Sequence, residues 1–267
     1  MSAKDVDPLM QEMDAELAGF SEPATRLREA LAKDELVLYC QPIAALIGSV
    51  RFPMAEVLIR LREEEKAMLP PGEFLPAFEH YRLMPDLDRW VSRKVIQHLA
   101  RGSRIGRFAI NVHSQTLEDA SFAKSVALEL VNAGVPGKAL VFEINEPDTL
   151  SRTEACLRFA TGVRAVGCGV TVSGFGRRSA SFMALKTLRP DYVKVDGVIV
   201  RKLLIAPAIE AKLKAVLRVG EVMGFQVIAE MVEEQDILMR LKALGVTHAQ
   251  GFGIQQPMPI EKLAPPA

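Results

Sequence analysis

The feature that most constrains the fold of this chain is a regular alternation of short apolar segments with longer amphipathic ones. The strand candidates are residues 35–43, 54–61, 108–112, 140–144, 170–173, 192–195, 226–229 and 247–250. Amphipathic segments of helical length lie between them, among them residues 122–133, 154–166, 208–223 and 235–244. Such alternation at intervals of roughly 20–35 residues is typical of parallel βαβ units. Eight strands in 267 residues predict an α/β fold, a (β/α)8 barrel of the TIM type rather than an open sheet.

The first strand is expected to depart from the standard barrel. Only a short link containing Gly48 joins it to the second strand. Such a link permits antiparallel pairing, so the sequence predicts a modified barrel with an antiparallel first strand.

The first 22 residues form a separate segment from the barrel predicted over residues 23–267. Its apolar residues fall at helical spacing among acidic ones: Val6, Leu9, Met10, Met13, Leu17 and Phe20. The Ser21-Glu22-Pro23 run ends this amphipathic helix. Two interpretations stay open: the helix packs on its own domain, or it contacts a protein partner or a second copy in a homodimer.

Charge and cysteine content exclude several classes of protein. The 33 basic and 33 acidic residues cancel, which argues against a whole-surface grip on DNA or anionic lipid, although a local basic pocket remains possible. Three scattered cysteines without a CxxC pair predict neither a disulfide framework nor a zinc site. No apolar run approaches the ~18 residues of a membrane span, and the amino end is acidic, so a cytoplasmic protein is expected.

Polar residues gather where the predicted strands end, which is where barrels place their chemistry. They are Glu56, Arg60, Asn111, Glu143, Glu146, Lys194, Asp196, Glu230 and Gln250. Each taken alone has a structural explanation, such as a turn cap or an ion pair. Together, several converging carboxylates and an amide favour Mg²⁺ or Mn²⁺. The fifth strand breaks the pattern, because residues 172–178 contain no carboxylate.

A series of short motifs along the chain resembles the pattern of one known protein family. In order, they are Tyr-Cys-Gln-Pro-Ile at 39–43, Ala-Glu-Val-Leu-Ile-Arg at 55–60, Pro-Gly-Glu-Phe at 71–74, Ile-Asn-Val at 110–112, Phe-Glu-Ile-Asn-Glu at 142–146, Val-Lys-Val-Asp at 193–196, Ile-Ala-Glu-Met-Val-Glu at 228–233 and Gln-Gly-Phe at 250–252. Together they resemble the EAL-domain family of cyclic di-GMP phosphodiesterases. The resemblance covers residues 26–262, nearly the whole chain.

The resemblance implies a role for individual residues. In that family, two divalent cations promote hydrolysis of a phosphodiester bond. Glu56, Asn111 and Glu143 match metal ligands, and Arg60 matches a contact to the nucleotide phosphate. Lys194 matches the lysine near the hydrolytic water, and Glu230 matches a carboxylate of the second metal. Gln250 matches the turn beneath the site, and Asp88 matches a polar contact to a guanine edge.

The departures from the family pattern bear on activity. The family's two adjacent aspartates align with Ser173 and Gly174, and the following loop is Arg177-Arg178-Ser179-Ala180. The expected glycine after Glu230 is Met231, and the expected threonine after Ile144 is Asn145. Two-metal catalysis needs both ions to clamp the attacking and leaving oxygens. Loss of both bridging carboxylates therefore predicts a degenerate, catalytically inactive member.

Three functions remain in competition. The first is a silent cyclic di-GMP receptor that needs no cofactor, with phosphate held by guanidinium groups. Its expected ligand contacts are Gln41, Glu56, Leu58, Arg60, Asp88, Asn111, Arg177, Arg178, Lys194, Asp196, Glu230, Met231, Gln250 and Pro257. Alternatively, Arg177 and Arg178 belong to a solvated loop that contacts no ligand.

The second function is a nucleotide-independent protein-interaction module, supported by the altered loop and the acidic amino-terminal helix. The third is a slow phosphodiesterase in which Glu56, Asn111 and Glu143 hold one Mg²⁺ or Mn²⁺.

Overall fold

A computed structural model describes residues 23–62, 68–69, 71–177 and 182–264. Its strands are β1 (Leu36–Ala45), β2 (Met54–Arg62), β3 (Met68–Leu69), β4 (Phe108–Asn111), β5 (Leu140–Asn145), β6 (Gly169–Phe175), β7 (Tyr192–Val195), β8 (Gln226–Ala229), β9 (His248–Ala249) and β10 (Met258–Pro259). The predicted helix over residues 1–22 and the residue Arg178 lie outside the described ranges.

Helices follow most of the strands. They are α1 (Pro23–Ala32), α2 (Pro71–His80), α3 (Met84–Ala100), α4 (Ser114–Leu117), α5 (Phe122–Ala133), α6 (Glu146–Ser151), α7 (Thr153–Ala165), α8 (Phe182–Leu188), α9 (Gly197–Val200), α10 (Pro207–Met223) and α11 (Gln235–Ala243). Short 3₁₀ turns occupy Gly137–Ala139 and Ile260–Leu263. In the described part of the chain, no helix has both the length and the apolar character needed to cross a lipid bilayer.

Eight of the strands close into a barrel. Strands β2, β4, β5, β6, β7, β8 and β9 run parallel in that order, and β1 pairs antiparallel with both β2 and β9. The predicted modified barrel and its antiparallel first strand are therefore confirmed. The two-residue strands β3 and β10 extend the sheet beside the barrel and were not expected from the sequence.

Alternation along the strands divides the core between the inside and the outside of the barrel. Outward side chains such as Val170, Val172 and Val193 are fully buried beneath the helices. Inward side chains form an apolar layer near the amino ends of the strands, made of Ile43, Met54, Ala109, Val141, Tyr192 and Ile228. This layer fills the floor of the barrel, so any polar site must lie above it.

Candidate functional site

The candidate site is the next layer of the barrel interior. Because side chains alternate along a strand, the residues two positions closer to the carboxyl ends of the parallel strands also face inward. They replace the apolar floor with polar groups: Gln41, Glu56, Asn111, Glu143, Lys194 and Glu230, with Gln250 just after β9. The structure thus brings seven of the predicted site residues together.

Lys194 lies at the centre of this layer and is 1% exposed. Its Nζ is 2.7 Å from Oε2 of Glu56 and 3.0 and 3.1 Å from the two carboxylate oxygens of Glu143. Oε1 of Glu230 is 3.6 Å away. A single ammonium group therefore serves three carboxylates.

Amides complete the hydrogen bonding of Glu56. Asn111 donates from Nδ2 to Oε1 of Glu56 at 2.8 Å, and Gln250 donates from Nε2 to Oε2 at 2.7 Å. Gln250 Nε2 also lies 3.0 Å from Oε1 of Gln41, whose own Nε2 donates to the Gln255 carbonyl. Glu56 is thus held by Lys194 of β7, Asn111 of β4 and Gln250 just after β9.

This arrangement separates the pKa values of the carboxylates. Burial raises the pKa of Glu143 to about 8, with repulsion from Glu56 and Glu230 opposing the attraction of Lys194. Burial also raises the pKa of Glu230 to about 6. Burial would raise the pKa of Glu56 as well, but Lys194, Asn111 and Gln250 together hold it below its usual range. The same carboxylates outweigh burial and raise the pKa of Lys194. At neutral pH the cluster therefore holds the anions of Glu56 and Glu230 beside one cation.

The end of β6 contributes no charge to the cluster. Ser173 is buried and its Oγ is 3.2 Å from Oδ1 of Asn145, to which it donates. Gly174 follows with a φ of 65°, and the pairing register between β6 and β7 shifts between Val172 and Phe175. Glu146 lies nearby but accepts a hydrogen bond from the backbone N–H of Gly176.

These donors do not fit the pair of divalent cations that the family resemblance implies. Within the described ranges, no three His, Cys, Asp or Glu side chains are arranged to hold a metal ion. The three carboxylates instead converge on Nζ of Lys194, and the hydroxyl of Ser173 is engaged by Asn145.

A cavity of about 420 Å³ opens above the cluster. Its lining consists of Gln41, Glu56, Glu230, Met231, Glu233, Gln250, Gly251 and Phe252. Met231 has a φ of 53°, a left-handed conformation that a glycine would adopt without strain. Its side chain lies so close to Gly197 that a Cβ there would come within 2.5 Å of it. Met231 thus ties the cavity rim to the start of α9.

Three lining residues had no role assigned from the sequence: Glu233, Gly251 and Phe252. Phe252 is 62% exposed at the rim, and Glu233 is exposed beside it. An exposed aromatic cannot be told from a core aromatic without the fold, although its place directly after Gln250-Gly251 was a signal.

Other predicted contacts lie outside the charged cluster. Arg60 is half-buried, donates to the Ile59 carbonyl and places its guanidinium 5.6 Å from the centre of the Tyr39 ring. Leu58 pairs with Tyr39 across β1 and β2. Pro257 is half-buried before β10, and Arg177 is exposed after β6.

Two predicted contacts have structural roles. Asp196 caps α9 by accepting from the Val198 N–H at 2.8 Å. Asp88 is 3% exposed in α3, and its Oδ2 accepts from the His113 N–H at 3.1 Å and from Thr116 Oγ1 at 2.6 Å. Burial raises the pKa of Asp88 to about 7. Asp88 thereby anchors the turn that follows Asn111, and its contact with a ligand stays a prediction.

Comparisons with known proteins agree with this geometry. The EAL domain family matches residues 24–257. The cyclic di-GMP phosphodiesterase PdeB of Shewanella oneidensis is 32% identical over 240 residues, which cover 89% of this chain and 28% of that protein. The cyclic di-GMP phosphodiesterase PdeF of Escherichia coli is 27% identical over 88% of this chain and 32% of its own length. The chain thus spans about a third of the curated relatives it matches.

Solved structures show the same likeness. A complex of the PaMucR phosphodiesterase with c-di-GMP has a TM-score of 0.80 and 27% identity, covering 90% of this chain and 98% of that one. The FimX EAL domain from Pseudomonas aeruginosa, bound to c-di-GMP, has a TM-score of 0.80 and 29% identity, covering 86% and 94% of the two chains. With the family match across most of its length and the strand-end cluster in place, the chain belongs to the EAL domain family.

Proposed function

We propose that this chain binds cyclic di-GMP without hydrolysing it and acts as a receptor in signalling. The observation that supports the proposal is the end of β6, where Ser173 and Gly174 carry no carboxylate, while Lys194 pairs with Glu56 and Glu143. The family resemblance leads us to expect two aspartates at these positions in an active member. The c-di-GMP complexes of related EAL domains support cyclic di-GMP as the ligand.

In this proposal, different residues of the chain contact the purine ring and the phosphate of the nucleotide. Met231 and Phe252 offer apolar surface at the rim of the cavity, suited to a purine ring. Arg60, on the carboxyl-terminal half of β2, supplies a guanidinium for a phosphate. The floor of the cavity repels phosphate through Glu56 and Glu230, so the proposal requires the phosphates to lie toward the arginines.

Metal independence is part of the proposal. Hydrolysis of a phosphodiester needs charge stabilisation on both the attacking and the leaving oxygen. Lys194 is the one cation among the described residues of the cluster, and it is engaged by Glu56 and Glu143. The cluster is therefore suited to stabilising the folded barrel rather than the transition state of phosphodiester hydrolysis.

A calorimetric titration with cyclic di-GMP, in EDTA and again in Mg²⁺ or Mn²⁺, tests the proposal. We expect the same affinity in both buffers and no linear dinucleotide by chromatography. Hydrolysis at rates on the order of 1 s⁻¹ would identify an enzyme instead. Binding that EDTA abolishes would favour the single-metal phosphodiesterase, and absence of binding in either buffer would favour the protein-interaction module.

A further inference from the structure

The end of the barrel opposite the candidate site is a separate surface. The loops that precede the parallel strands and the β1–β2 hairpin loop all lie at this end, because they adjoin the amino ends of the strands. These segments, named the amino-end face here, are residues 46–53, 101–107, 134–139, 166–168, 189–191, 224–225 and 244–247. Hydrogen bonds join them: the Leu46 N–H donates to the Thr247 carbonyl at 2.9 Å, and Arg107 Nε donates to the Lys138 carbonyl at 3.1 Å.

The amino-end face is strongly basic although the whole chain is neutral. Its seven segments contain six basic residues and one acidic residue, Asp191. The basic residues are Arg51, Arg101, Arg104, Arg107, Lys138 and Arg189. Within the described part of the chain, none of the six forms an ion pair. Asp191 is occupied by the Val170 N–H at 2.8 Å.

Part of this charge has a structural explanation, and part does not. The helices of a (β/α)8 barrel point their carboxyl ends at this face, and basic residues there offset the helix dipoles. Arg101 directly follows α3, and Arg189 directly follows α8. Arg51 belongs to the hairpin and Arg107 directly precedes β4, so neither ends a helix.

The same face carries exposed aliphatic side chains. Ile47 is 64% exposed and Val50 is 61% exposed, on either side of the hairpin tip. Val131 in the last turn of α5 and Val222 in the last turn of α10 are 78% and 80% exposed. Exposed aliphatic side chains on a face that also carries arginines combine the two attractions that hold a protein on an anionic lipid surface.

A cavity of about 320 Å³ opens in the middle of this face, lined by Arg107, Lys138, Val141, Gly167, Cys168, Gly169, Asp191, Tyr192, Gly224 and Gln226. Arg107 Nη1 donates to the hydroxyl of Tyr192 at 2.6 Å, which holds the guanidinium at the cavity wall. The cavity is therefore a place where a phosphate head group can meet a fixed cation.

We propose that the amino-end face docks on a membrane surface rich in anionic phospholipid. Nucleic acid is the other polyanion that a basic face attracts, but its phosphate backbone gives Ile47 and Val50 nothing to insert into. Docking by this face leaves the mouth of the candidate site, at the opposite end of the barrel, directed away from the lipid.

Co-sedimentation of the full chain with lipid vesicles tests this assignment. We expect binding to vesicles of phosphatidylcholine mixed with phosphatidylglycerol, no binding to phosphatidylcholine alone, and release at high salt. Replacing two arginines, Arg51→Ala with Arg104→Ala, should weaken binding roughly thirtyfold. A matched control, Arg158→Ala with Lys214→Ala, removes the same charge from exposed helix surface and should leave binding within about twofold.

A second measurement reports which end of the molecule touches the lipid. The native cysteines Cys40, Cys156 and Cys168 are buried, so an introduced surface cysteine can be labelled selectively. A polarity-sensitive dye on Ile47→Cys should shift to the blue with anionic vesicles, whereas the dye on Met239→Cys, which is on α11 and 53% exposed in the native protein, should not. Absence of vesicle binding, equal loss in the control pair, dye shifts at both positions, or tighter binding to duplex DNA than to vesicles would each overturn the proposal. Circular dichroism confirms that every variant is folded.

Discussion

The ammonium nitrogen of Lys194 and a carboxylate oxygen of Glu56 are 2.7 Å apart, although 138 positions separate the two residues in the chain. Glu143 approaches the same nitrogen through both of its oxygens. All three side chains are largely removed from water, so they depend on one another and on the amides of Asn111 and Gln250 for their partners. Removing one of these three side chains therefore tests how strongly the other two depend on it.

Lys194→Met should therefore destabilise the fold by about 3–5 kcal/mol, because buried carboxylates lose their counter-ion. Adding Glu56→Gln should restore part of this loss, since the carboxylate held ionised beside Lys194 disappears. Urea unfolding of both single variants and the double variant measures the coupling. The exposed Lys202→Met is the control. A loss under about 1 kcal/mol for Lys194→Met would show that the ammonium is dispensable to the cluster.

Arg60→Ala should weaken cyclic di-GMP binding by about 1.5–3 kcal/mol, roughly ten- to a hundredfold, the range for a hydrogen bond to a charged group. Arg60 lies above the Tyr39 ring, which restricts where the guanidinium can point. Arg177→Ala should cost less, because Arg177 is exposed and better solvated. Calorimetry on the two variants gives the comparison; equal losses would argue against a special role for Arg60.

Nucleotide binding should tighten as the pH falls through about 6. Burial raises the pKa of Glu230 to about 6, so above that pH the carboxylate is ionised and repels a phosphate. Below it the group is neutral, and affinity should rise by roughly tenfold between about pH 8 and pH 5. Glu230→Gln removes the titrating group and should flatten this profile. A profile unchanged in Glu230→Gln would assign the pH dependence to another group.

Glu56→Ala should leave binding unchanged or tighten it, because Glu56 holds a negative charge in the cavity floor. A metal-dependent site would respond in the opposite way, through loss of a ligand. Titrations of Glu56→Ala with and without EDTA distinguish the two cases. The exposed Glu221→Ala is a matched control for the change in net charge.

Asp88 makes a separate contribution to pH-dependent stability. Burial raises its pKa from 3.8 to about 7, so the folded state binds the proton more tightly than the unfolded chain. This stabilisation is complete below about pH 4 and is lost as the pH rises through about 7, with a slope of at most about 1.4 kcal/mol per pH unit. Asp88→Asn keeps an acceptor for Thr116 and removes the proton. The difference between the wild-type and variant unfolding free energies should show this slope; a flat difference would place the ionised form in the native protein.

Periodicity made much of this arrangement predictable. Strand ends could be located from β-forming runs, and their polar residues, among them Glu56, Asn111 and Glu143, were expected to converge at one end of the barrel. Strands β3 and β10 were missed because two residues show no alternation. The sharing of Lys194 among three carboxylates could not be foreseen, since strand tilt and side-chain length decide which oxygen meets the nitrogen. The burial of Asp88 could not be predicted for a similar reason. On α3, sequence spacing does not indicate which polar side chain faces the turn between β4 and α4.

The barrel closes when β1 pairs with β9, so the cavity can form only after the carboxyl-terminal part of the chain has been synthesised. The amide of Gln250 reaches Glu56 across 194 positions, and β1 finds one of its two barrel neighbours only when β9 exists. Contacts of such long sequence separation carry a large loop-closure cost and slow the folding of a chain. A ribosome-bound chain or a carboxyl-terminally cleaved fragment thus carries Glu56 and Lys194 but cannot assemble the cavity between β2 and β9. The nucleotide binding proposed above therefore requires the complete barrel.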